Sequence, residues 1–525
     1  MGLDVIASPE TLERVQSALG EAIEDRVASR LFAKDPTLWG PQAQDEASKR
    51  LEWTTLAESS RPLVAEIEAL RQTFLDRGLD HVVLCGMGGS SLAPEVICRA
   101  ADVELTVLDS SQPDAVRAAI NDRLERSVVV VSSKSGGTVE TDSQRRAYEQ
   151  ALRNAGLDPA EHLVVVTDPG SPLAEQSAQA GYRVVHADPG VGGRYSALTA
   201  FGLVPSGLAG APVADLLDEA EAVQADLAAD SPDNPALRLG TVLGVAALAG
   251  VDKLVLDDRS GIGDWIEQLV AESTGKLGRG ILPVVVPSPD SPNLAPATAD
   301  SLVVATGTSV APDSTSHWSA SATGPLGAQL LLWEAAVAVA GRVIGINPFD
   351  QPDVESAKQA ARERLGDTAG DDEPDVVELG IQAHGTGAAE LTGAVDELLA
   401  NLDPETGYVA IQAYLDRTQE PQVAELRELL ATRTGRPVTF GWGPRFLHST
   451  GQYHKGGPPT GVFLQLTREP REDLAVPGRD FTFGDFIASQ AAGDAAVLRE
   501  HGRPVLRLHL RDVASALPTL RELLS

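Results

Sequence analysis

The N-terminal part of the chain carries apolar residues at helical spacing. In segments 11–33 and 61–78 they recur every three or four positions, which predicts helices. Between these segments, residues 34–53 contain the Pro and Gly residues that interrupt helices. The same connection contains Trp39 and Trp53, and we expect their large apolar rings to anchor it to the body of the protein.

The pattern changes at His81, where short apolar runs begin to alternate with amphipathic segments. Strands of that length in a regular β-α order predict a parallel sheet covered by helices on both faces. The runs of the first set are HVVLCG, ELTVLDSS, SVVVVSS, HLVVVTD and YRVVHAD. A second set follows Ala-rich helices and consists of DKLVLDD, ILPVVVP and SLVVATG. Two sheet domains in tandem are the simplest account of these patterns.

A third region follows the acidic segment GDTAGDDEPD, which has few apolar residues and is predicted to be an exposed linker. The chain then returns to an α/β pattern, with candidate strands YVAIQAYL, PVTFGWG, TGVFLQLT and PVLRLHLRD. The predicted fold class is α/β, with two doubly wound parallel-sheet domains, an N-terminal helical segment and a C-terminal α/β extension. The predicted division of the chain is 1–75, 76–210, 211–368 and 369–525.

Composition and charge argue against several classes of protein, namely membrane proteins, nucleic-acid-binding proteins and disulfide-rich proteins. With 525 residues, 43% of them hydrophobic, the chain is expected to form several packed cores. We expect a cytoplasmic protein, because no apolar run reaches the roughly 20 residues of a membrane helix and the N-terminus lacks the pattern of a secretory signal. A net charge of −33 opposes binding to nucleic acid and to anionic membranes. Cys85 and Cys98 are too few for a disulfide framework and are expected to be buried thiols.

Two glycine-rich turns, each between a predicted strand and a predicted helix, are candidates for anion binding. The first contains Gly88, Gly89 and Ser90, and the second spans residues 133–138 with Lys134 inside it. Free backbone amides, hydroxyl groups and one ammonium group together suit a phosphate monoester. Each turn alone could equally be an ordinary connection. Two such turns at the carboxyl ends of strands in one sheet would converge on a single crevice.

Four further segments contain candidate catalytic residues. Arg194 follows two glycines in GGRYS, where its guanidinium could reach an oxyanion, although it could also be a surface arginine. Glu272 and Lys276 in AESTGK could form an ordinary ion pair on a helix surface. Lys358 in NPFDQPDVESAK could lie on a solvated helix face. His448 in RFLHSTGQYHKGG could belong to a capped turn, and that segment makes a poor metal site because it lacks cysteines and nearby carboxylates.

Together these segments resemble a known family. GMGGSSLAP followed by SSKSGGTVET looks like the sugar-isomerase domain. The fuller set, which adds GGRYS, AESTGK, DQPDVESAK and HSTGQY, is similar to the glucose-6-phosphate isomerase family. The histidine segment here follows the lysine segment, an order similar to that in the isomerase half of bifunctional transaldolase/glucose-6-phosphate isomerases. The resemblance runs from about residue 30 to the C-terminal end.

The resemblance implies an aldose–ketose isomerase of glycolysis and gluconeogenesis that interconverts glucose 6-phosphate and fructose 6-phosphate. Glu272 would carry a proton between two sugar carbons, and Arg194 would stabilise the enediolate formed between these steps. His448 would open the sugar ring, and Lys358 would support ring opening or the same negative charge. The residues implied to hold the phosphate are Gly88, Gly89, Ser90, Ser133, Lys134, Ser135 and Thr138. This chemistry requires no metal, nucleotide or redox cofactor.

The resemblance also implies a partner and an oligomeric state. The partner is a sugar phosphate, and a homodimer is expected because the family's histidine comes from a neighbouring subunit. Two alternatives stay open. A phosphosugar-binding sensor would keep the phosphate site and could dispense with Glu272, Arg194 and Lys358. An isomerase of broader specificity would also accept mannose 6-phosphate.

Overall fold

The computed structural model describes residues 2–294, 297–308, 317–352 and 373–525. Within these ranges the helices are α1 (Pro9–Glu24), α2 (Val27–Phe32), α3 (Gln44–Ala47), α4 (Leu56–Ser59), α5 (Arg61–Leu75), α6 (Leu92–Ala100), α7 (Pro113–Asn121), α8 (Val139–Asn154), α9 (Pro159–His162), α10 (Pro172–Gln179), α11 (Ala200–Ala209), α12 (Val213–Leu227), α13 (Pro235–Leu248), α14 (Gly263–Thr274), α15 (Leu326–Ile344), α16 (Leu391–Leu399), α17 (Leu426–Thr434), α18 (Gly451–Gly456), α19 (Phe483–Glu500) and α20 (Val513–Leu524). The strands are β1 (Asp4–Ala7), β2 (His81–Gly86), β3 (Thr106–Leu108), β4 (Ser127–Ser132), β5 (Leu163–Thr167), β6 (Arg183–His186), β7 (Lys253–Asp258), β8 (Leu282–Val286), β9 (Ser301–Thr306), β10 (Ser319–Thr323), β11 (Val376–Glu378), β12 (Ile381–His384), β13 (Tyr408–Tyr414), β14 (Val438–Trp442), β15 (Gly461–Arg468) and β16 (Val505–Leu510).

The first sheet is entirely parallel, in the order β3-β2-β4-β5-β6. Every residue of β2, β4 and β5 is buried, as expected for apolar strands with helices on both faces. The strand order reverses between β2 and β4, whose last residues, Gly86 and Ser132, are register partners. Open parallel sheets bind ligands outside the carboxyl ends of their strands at such a point. Both candidate phosphate turns therefore follow the two strands that frame this crevice.

The second sheet has the order β1-β10-β9-β7-β8, with β7 to β10 parallel and β1 an antiparallel edge strand. The sequence pattern predicted β7, β8 and β9. It missed β10, whose residues SASAT are all buried, because small residues are not typical of strands. It also missed β1, since four residues at the start of the chain show too little alternation to be recognised.

The third sheet has the order β11-β12-β16-β15-β13-β14, with β13 to β16 parallel and β11 and β12 antiparallel. In all three sheets the first four parallel strands lie in the same spatial order: second, first, third, fourth. The predicted α/β class is confirmed, and beside the two parallel sheets that were predicted, the C-terminal α/β part forms a third sheet with four parallel strands. The domain boundaries stay a prediction, and residues 366–372 of the predicted linker lie outside the described residues.

The N-terminal helices pack as predicted, and both indole rings anchor the connection between them. Trp53 is fully buried and stacks on Tyr195, with ring centroids 5.3 Å apart. Trp39 donates a hydrogen bond from its ring nitrogen to the carbonyl of Ala338, at 2.9 Å. The two cysteines are free and buried, also as predicted.

Helix α15 is the longest helix among the described residues, and most of its side chains are apolar. By length and composition it could cross a membrane, but 89% of its apolar window is buried inside the protein, where it packs on α12 and α13. This burial is typical of a core helix. It nevertheless contains Glu334, which is completely buried and whose two carboxylate oxygens contact no hydrogen-bond partner in the described part of the chain.

Replacing Glu334 with leucine is expected to raise the free energy of unfolding by about 1–3 kcal/mol at neutral pH, the usual cost of an unpartnered buried polar group. Burial raises the pKa of this carboxyl well above its usual value, so the folded protein keeps a proton that the unfolded chain releases. The penalty therefore grows as pH rises above the unfolded pKa of 4.5. Urea unfolding at about pH 5 and about pH 8 should show a wider gap between variant and wild type at the higher pH. A Glu334→Gln variant, which keeps a buried polar group, should gain much less.

Candidate active site

The glycines of the first turn allow three segments of the chain to approach closely. A Cβ atom on Gly89 would lie 1.9 Å from the carbonyl oxygen of Gly193, in the GGRYS turn. A Cβ atom on Gly88, whose φ is +57°, would lie 2.8 Å from the Gln268 amide nitrogen and 3.0 Å from the carbonyl oxygen of His448. We predicted that these glycines let backbone approach phosphate. The contacts show a further reason for glycine, namely the packing of the arginine, glutamate and histidine segments against this turn.

The second turn is held against β5 and presents its hydroxyl groups before α8. The Ser133 amide donates to the carbonyl of Val166 at 3.0 Å, and the Ser133 hydroxyl donates to Thr138 Oγ1 at 3.3 Å. Thr138 precedes α8 without capping it through its side chain. The free amides at such a helix start favour an anion. In the first turn, Ser90 is partly exposed at the corresponding position after β2.

Lys134 and Ser135 have partners inside or beside this second turn. The Lys134 ammonium donates to Asp168 Oδ2 at 2.7 Å, and the Ser135 hydroxyl accepts a hydrogen bond from the Gly137 amide at 3.2 Å. The structure therefore places the predicted phosphate-binding residues on two adjacent turns, with the lysine paired to a carboxylate.

Arg194 is not a surface arginine. Its side chain is buried and donates five hydrogen bonds within the site. Its guanidinium donates to Glu272 Oε1 at 3.1 Å, to Ser273 Oγ at 2.8 Å and to Gln351 Oε1 at 2.6 Å. It also donates to the backbone carbonyls of Pro348 and Asp350, at 2.7 and 3.1 Å. The side chain is 3% exposed and every hydrogen bond fixes its orientation. Its charge is thereby held beside the Glu272 carboxylate.

Glu272 lies on the last turn of α14 and is 6% exposed. One carboxylate oxygen accepts from Arg194, and the other accepts from the Gln268 side-chain amide at 3.0 Å. The same amide donates to the carbonyl of His448 at 2.8 Å. Gln268 thus connects the glutamate segment to the histidine segment. The sequence interpretation missed it, although its position one helical turn before Glu272 is a signal that could have found it.

His448 reaches the site from the third sheet, on the short helical turn Arg445–His448 that follows β14. Its ring nitrogen Nε2 lies 3.0 Å from Glu140 Oε1, in the first turn of α8. The same carboxylate oxygen accepts from the Gln490 side chain at 2.8 Å. Glu140 lies in the SSKSGGTVET segment, but the sequence did not indicate a role for it. No feature of the neighbouring sequence predicts pairing with a histidine 308 positions away.

Lys276 and Glu272 do not form the surface ion pair that their spacing allowed. Lys276 is 2% exposed and donates to the carbonyl of Asn347 at 2.8 Å and to Asp350 Oδ1 at 2.7 Å. Burial lowers the pKa of this ammonium to about 8. Lys276 therefore fastens the turn that carries Gln351 to the end of α14. Lys358 lies outside the described residues, so its role stays a prediction.

One further cluster has ligand types that metals use, away from the phosphate turns. His81, Glu104 and Asp122 bring one ligand atom each within 4.8 Å of one another. Arg123 already pairs with both carboxylates, and the two ring nitrogens of His81 lie 3.0 and 2.9 Å from the hydroxyls of Ser127 and Thr106. The ligand groups of this cluster therefore already have hydrogen-bond or ionic partners within the protein.

Comparison with known proteins agrees with the motifs. Residues 64–276 match the family model described as phosphoglucose isomerase. The glucose-6-phosphate isomerase of Acaryochloris marina is 32% identical over 276 residues, covering 49% of this chain and 51% of that protein. The predicted resemblance to the glucose-6-phosphate isomerase family is confirmed for this part of the chain. The chain spans about half, or less, of the length of the curated relatives it matches.

Solved structures confirm the fold. A hypothetical protein from Thermus thermophilus superposes with a TM-score of 0.58 at 23% identity, covering 70% of this chain and 100% of that one. A glucose-6-phosphate isomerase from Chlamydia trachomatis superposes with a TM-score of 0.50 at 20% identity, covering 69% of this chain and 86% of that one. The α/β fold with parallel sheets predicted from the sequence is therefore shared with these structures.

Proposed function

We propose that this chain, whose residues 64–276 match the phosphoglucose isomerase family, is an aldose–ketose isomerase that interconverts glucose 6-phosphate and fructose 6-phosphate. One observation carries the proposal. The buried Arg194–Glu272 pair lies directly against the glycine turn at the switch point of the first sheet. This contact supports a base and a fixed positive charge acting next to two turns suited to a phosphate group.

In the proposed mechanism the phosphate turns, His448, Glu272 and Arg194 each have one role. The amides and hydroxyls of the two turns bind the phosphate, and His448, positioned by Glu140, moves the proton that opens the sugar ring. Glu272 then removes the proton from C2 and returns it to C1, so the enzyme ends in its starting protonation state. The positive charge of Arg194 stabilises the oxygen that becomes negative in the enediolate, and its hydrogen bonds to the protein hold that charge in place before the reaction.

The test is conversion of fructose 6-phosphate to glucose 6-phosphate by the purified chain, followed in heavy water by proton magnetic resonance. Isomerisation through an enediolate exchanges the carbon-bound proton with solvent in part of the turnovers, so deuterium should appear at C2 of the product. Binding of fructose 6-phosphate without turnover would instead support the sensor alternative. Parallel assays with mannose 6-phosphate measure the breadth of the substrate pocket.

Replacing Glu140 with glutamine is expected to lower kcat by about tenfold to a hundredfold with little change in KM. Glutamine keeps the shape of the side chain but removes the negative charge beside the imidazole, so His448 is held less firmly for its proton transfer. The measurement is steady-state kinetics with fructose 6-phosphate, in which kcat should fall while KM stays close to the wild-type value. Glu149→Gln on the same helix, where Glu149 pairs with Arg145, serves as a matched control and should keep the wild-type kcat. A Glu140→Gln variant with the wild-type kcat would contradict a positioning role for Glu140.

The biological setting follows from this proposal. The enzyme would act in the cytoplasm, on the hexose phosphate step shared by glycolysis and gluconeogenesis. The contact between His448 and Glu140 lies within one chain. A homodimer stays a proposal, which light scattering of the purified protein would test.

A further inference from the structure

The cation of the phosphate turn already has an anionic partner. Lys134 Nζ lies 2.7 Å from Asp168 Oδ2, and its next contact is the carbonyl oxygen of Pro189 at 3.4 Å. The two side chains are 26% and 18% exposed, so the pair sits at the edge of the crevice rather than in open solvent. A phosphate bound at this turn would need the same ammonium group.

The backbone keeps Asp168 at this position. The Asp168 amide donates to the carbonyl of Lys134 at 3.3 Å, and the Thr167 hydroxyl donates to that carbonyl at the same distance. Asp168 Oδ1 is buried and contacts no hydrogen-bond partner within the described ranges. Lys134 is therefore the main partner that stabilises the carboxylate, and these backbone contacts hold the segment that carries Asp168 next to Lys134.

The charges around Asp168 make that dependence strong. Burial raises the pKa of this carboxyl, and Asp188 raises it further, while Lys134 and Arg50 act in the opposite direction. If Lys134 turns to a dianionic ligand, Asp168 loses its main cationic partner and gains a second negative neighbour. Both changes favour the protonated carboxylic acid.

We propose that Asp168 competes with phosphate for Lys134, so that it weakens phosphate binding and takes up a proton when the anion binds. The inference rests on the phosphate-binding role of the second turn, which is part of the proposed function. No covalent bond other than O–H forms in this exchange. One proton moves from solvent to an Asp168 oxygen, and the Lys134 ammonium replaces its hydrogen bond to the carboxylate with one to a phosphate oxygen. Asp168 is thus a residue that sets the affinity of the site.

The test uses isothermal titration calorimetry on wild type, Asp168→Asn and Asp158→Asn. Asparagine at 168 keeps the side-chain shape and removes the charge. Asp158 caps α9 at the other end of β5, asparagine is also a good cap, and this variant therefore controls for the loss of one negative charge. With inorganic phosphate as the probe, Asp168→Asn should bind about twofold to fivefold more tightly than wild type, the range expected for a partly exposed ion pair. Asp158→Asn should match wild type.

Proton uptake is measured with sulfate, whose charge does not change near neutral pH. Titrations in two buffers with different ionisation enthalpies should show net proton uptake by wild type and by Asp158→Asn, and clearly less by Asp168→Asn. Equal phosphate affinity in all three proteins would overturn the competition. Equal uptake in all three would overturn the assignment of the proton to Asp168.

The isomerase assay separates this inference from the proposed function. Tighter phosphate binding by Asp168→Asn in a chain that does not isomerise supports the competition and contradicts the proposed reaction. An active isomerase whose phosphate affinity is unchanged by Asp168→Asn retains the proposed reaction and contradicts the competition.

Discussion

Replacing Glu272 with glutamine is expected to lower kcat by about a hundredfold to ten-thousandfold, the usual contribution of a positioned general base. The single carbonyl oxygen of glutamine can still accept from Arg194, and its NH2 group can donate to Gln268 if that amide rotates to present its unpartnered Oε1. The site should therefore largely keep its shape while it loses the group that takes a proton from carbon. KM for fructose 6-phosphate should change little, because the phosphate turns are untouched. The measurements are steady-state kinetics and calorimetric binding of inorganic phosphate.

Glu267→Gln is a matched control on the same helix. Glu267 accepts from the Ser449 hydroxyl at 3.1 Å, and burial raises its pKa to about 8. The raised pKa favours the neutral carboxylic acid, and glutamine imitates that neutral form. This variant should keep most of the wild-type kcat. If both variants lost activity equally, α14 would have a structural role in activity and Glu272 would lose its special status as the base.

Replacing Arg194 with methionine is expected to be the most damaging change to both stability and activity. Its guanidinium satisfies Glu272 and Gln351 together with two backbone carbonyls, and methionine can serve none of them. Breaking a buried ion pair by removing one partner costs about 3–5 kcal/mol, because the other charge remains buried. Loss of the fixed charge next to a developing oxyanion should also reduce kcat by at least about a hundredfold.

A double-mutant cycle separates the two effects. When Glu272→Gln is added to Arg194→Met, the buried charge disappears, so part of the lost unfolding free energy should return while activity stays absent. Urea unfolding of the two single variants and the double variant measures this recovery. Strictly additive losses would mean that the 3.1 Å contact between Arg194 and Glu272 contributes no coupling energy. Arg194→Lys keeps the charge but not the fork, and should recover stability better than kcat.

The elements with strong local patterns could be predicted from the sequence. The Val-rich strands β4 and β5 were expected and found, because a strand buried on both faces must be apolar along its whole length. Strands β1 and β10 were not expected. Strand β1 is short, and β10 is built from Ala, Ser and Thr, so their pairing depends on neighbouring strands and not on their own propensity.

In the candidate site, too, some residues could be predicted from local sequence and others could not. Arg194 and Glu272 could be singled out from their motifs, and the structure brings them into contact. Their partners could not be found locally, since Gln268 and the His448 carbonyl are 180 positions apart and Glu140 and His448 are 308 positions apart. The pairing of Lys134 with Asp168 was also unexpected, because the two residues follow different strands.

The sequence by itself determined the chemical groups, the strand–turn–helix order and the glycines that let the turns form. These properties depend on side-chain type and on backbone freedom over a few residues, which are local. The tertiary structure alone decided which groups meet. The helical turn after β14 and helix α19 bring His448 and Gln490 to Glu140 on α8, and burial places Arg194 against Glu272. Contacts of this kind arise from close packing and the cost of unpaired buried charge, and both require the whole fold.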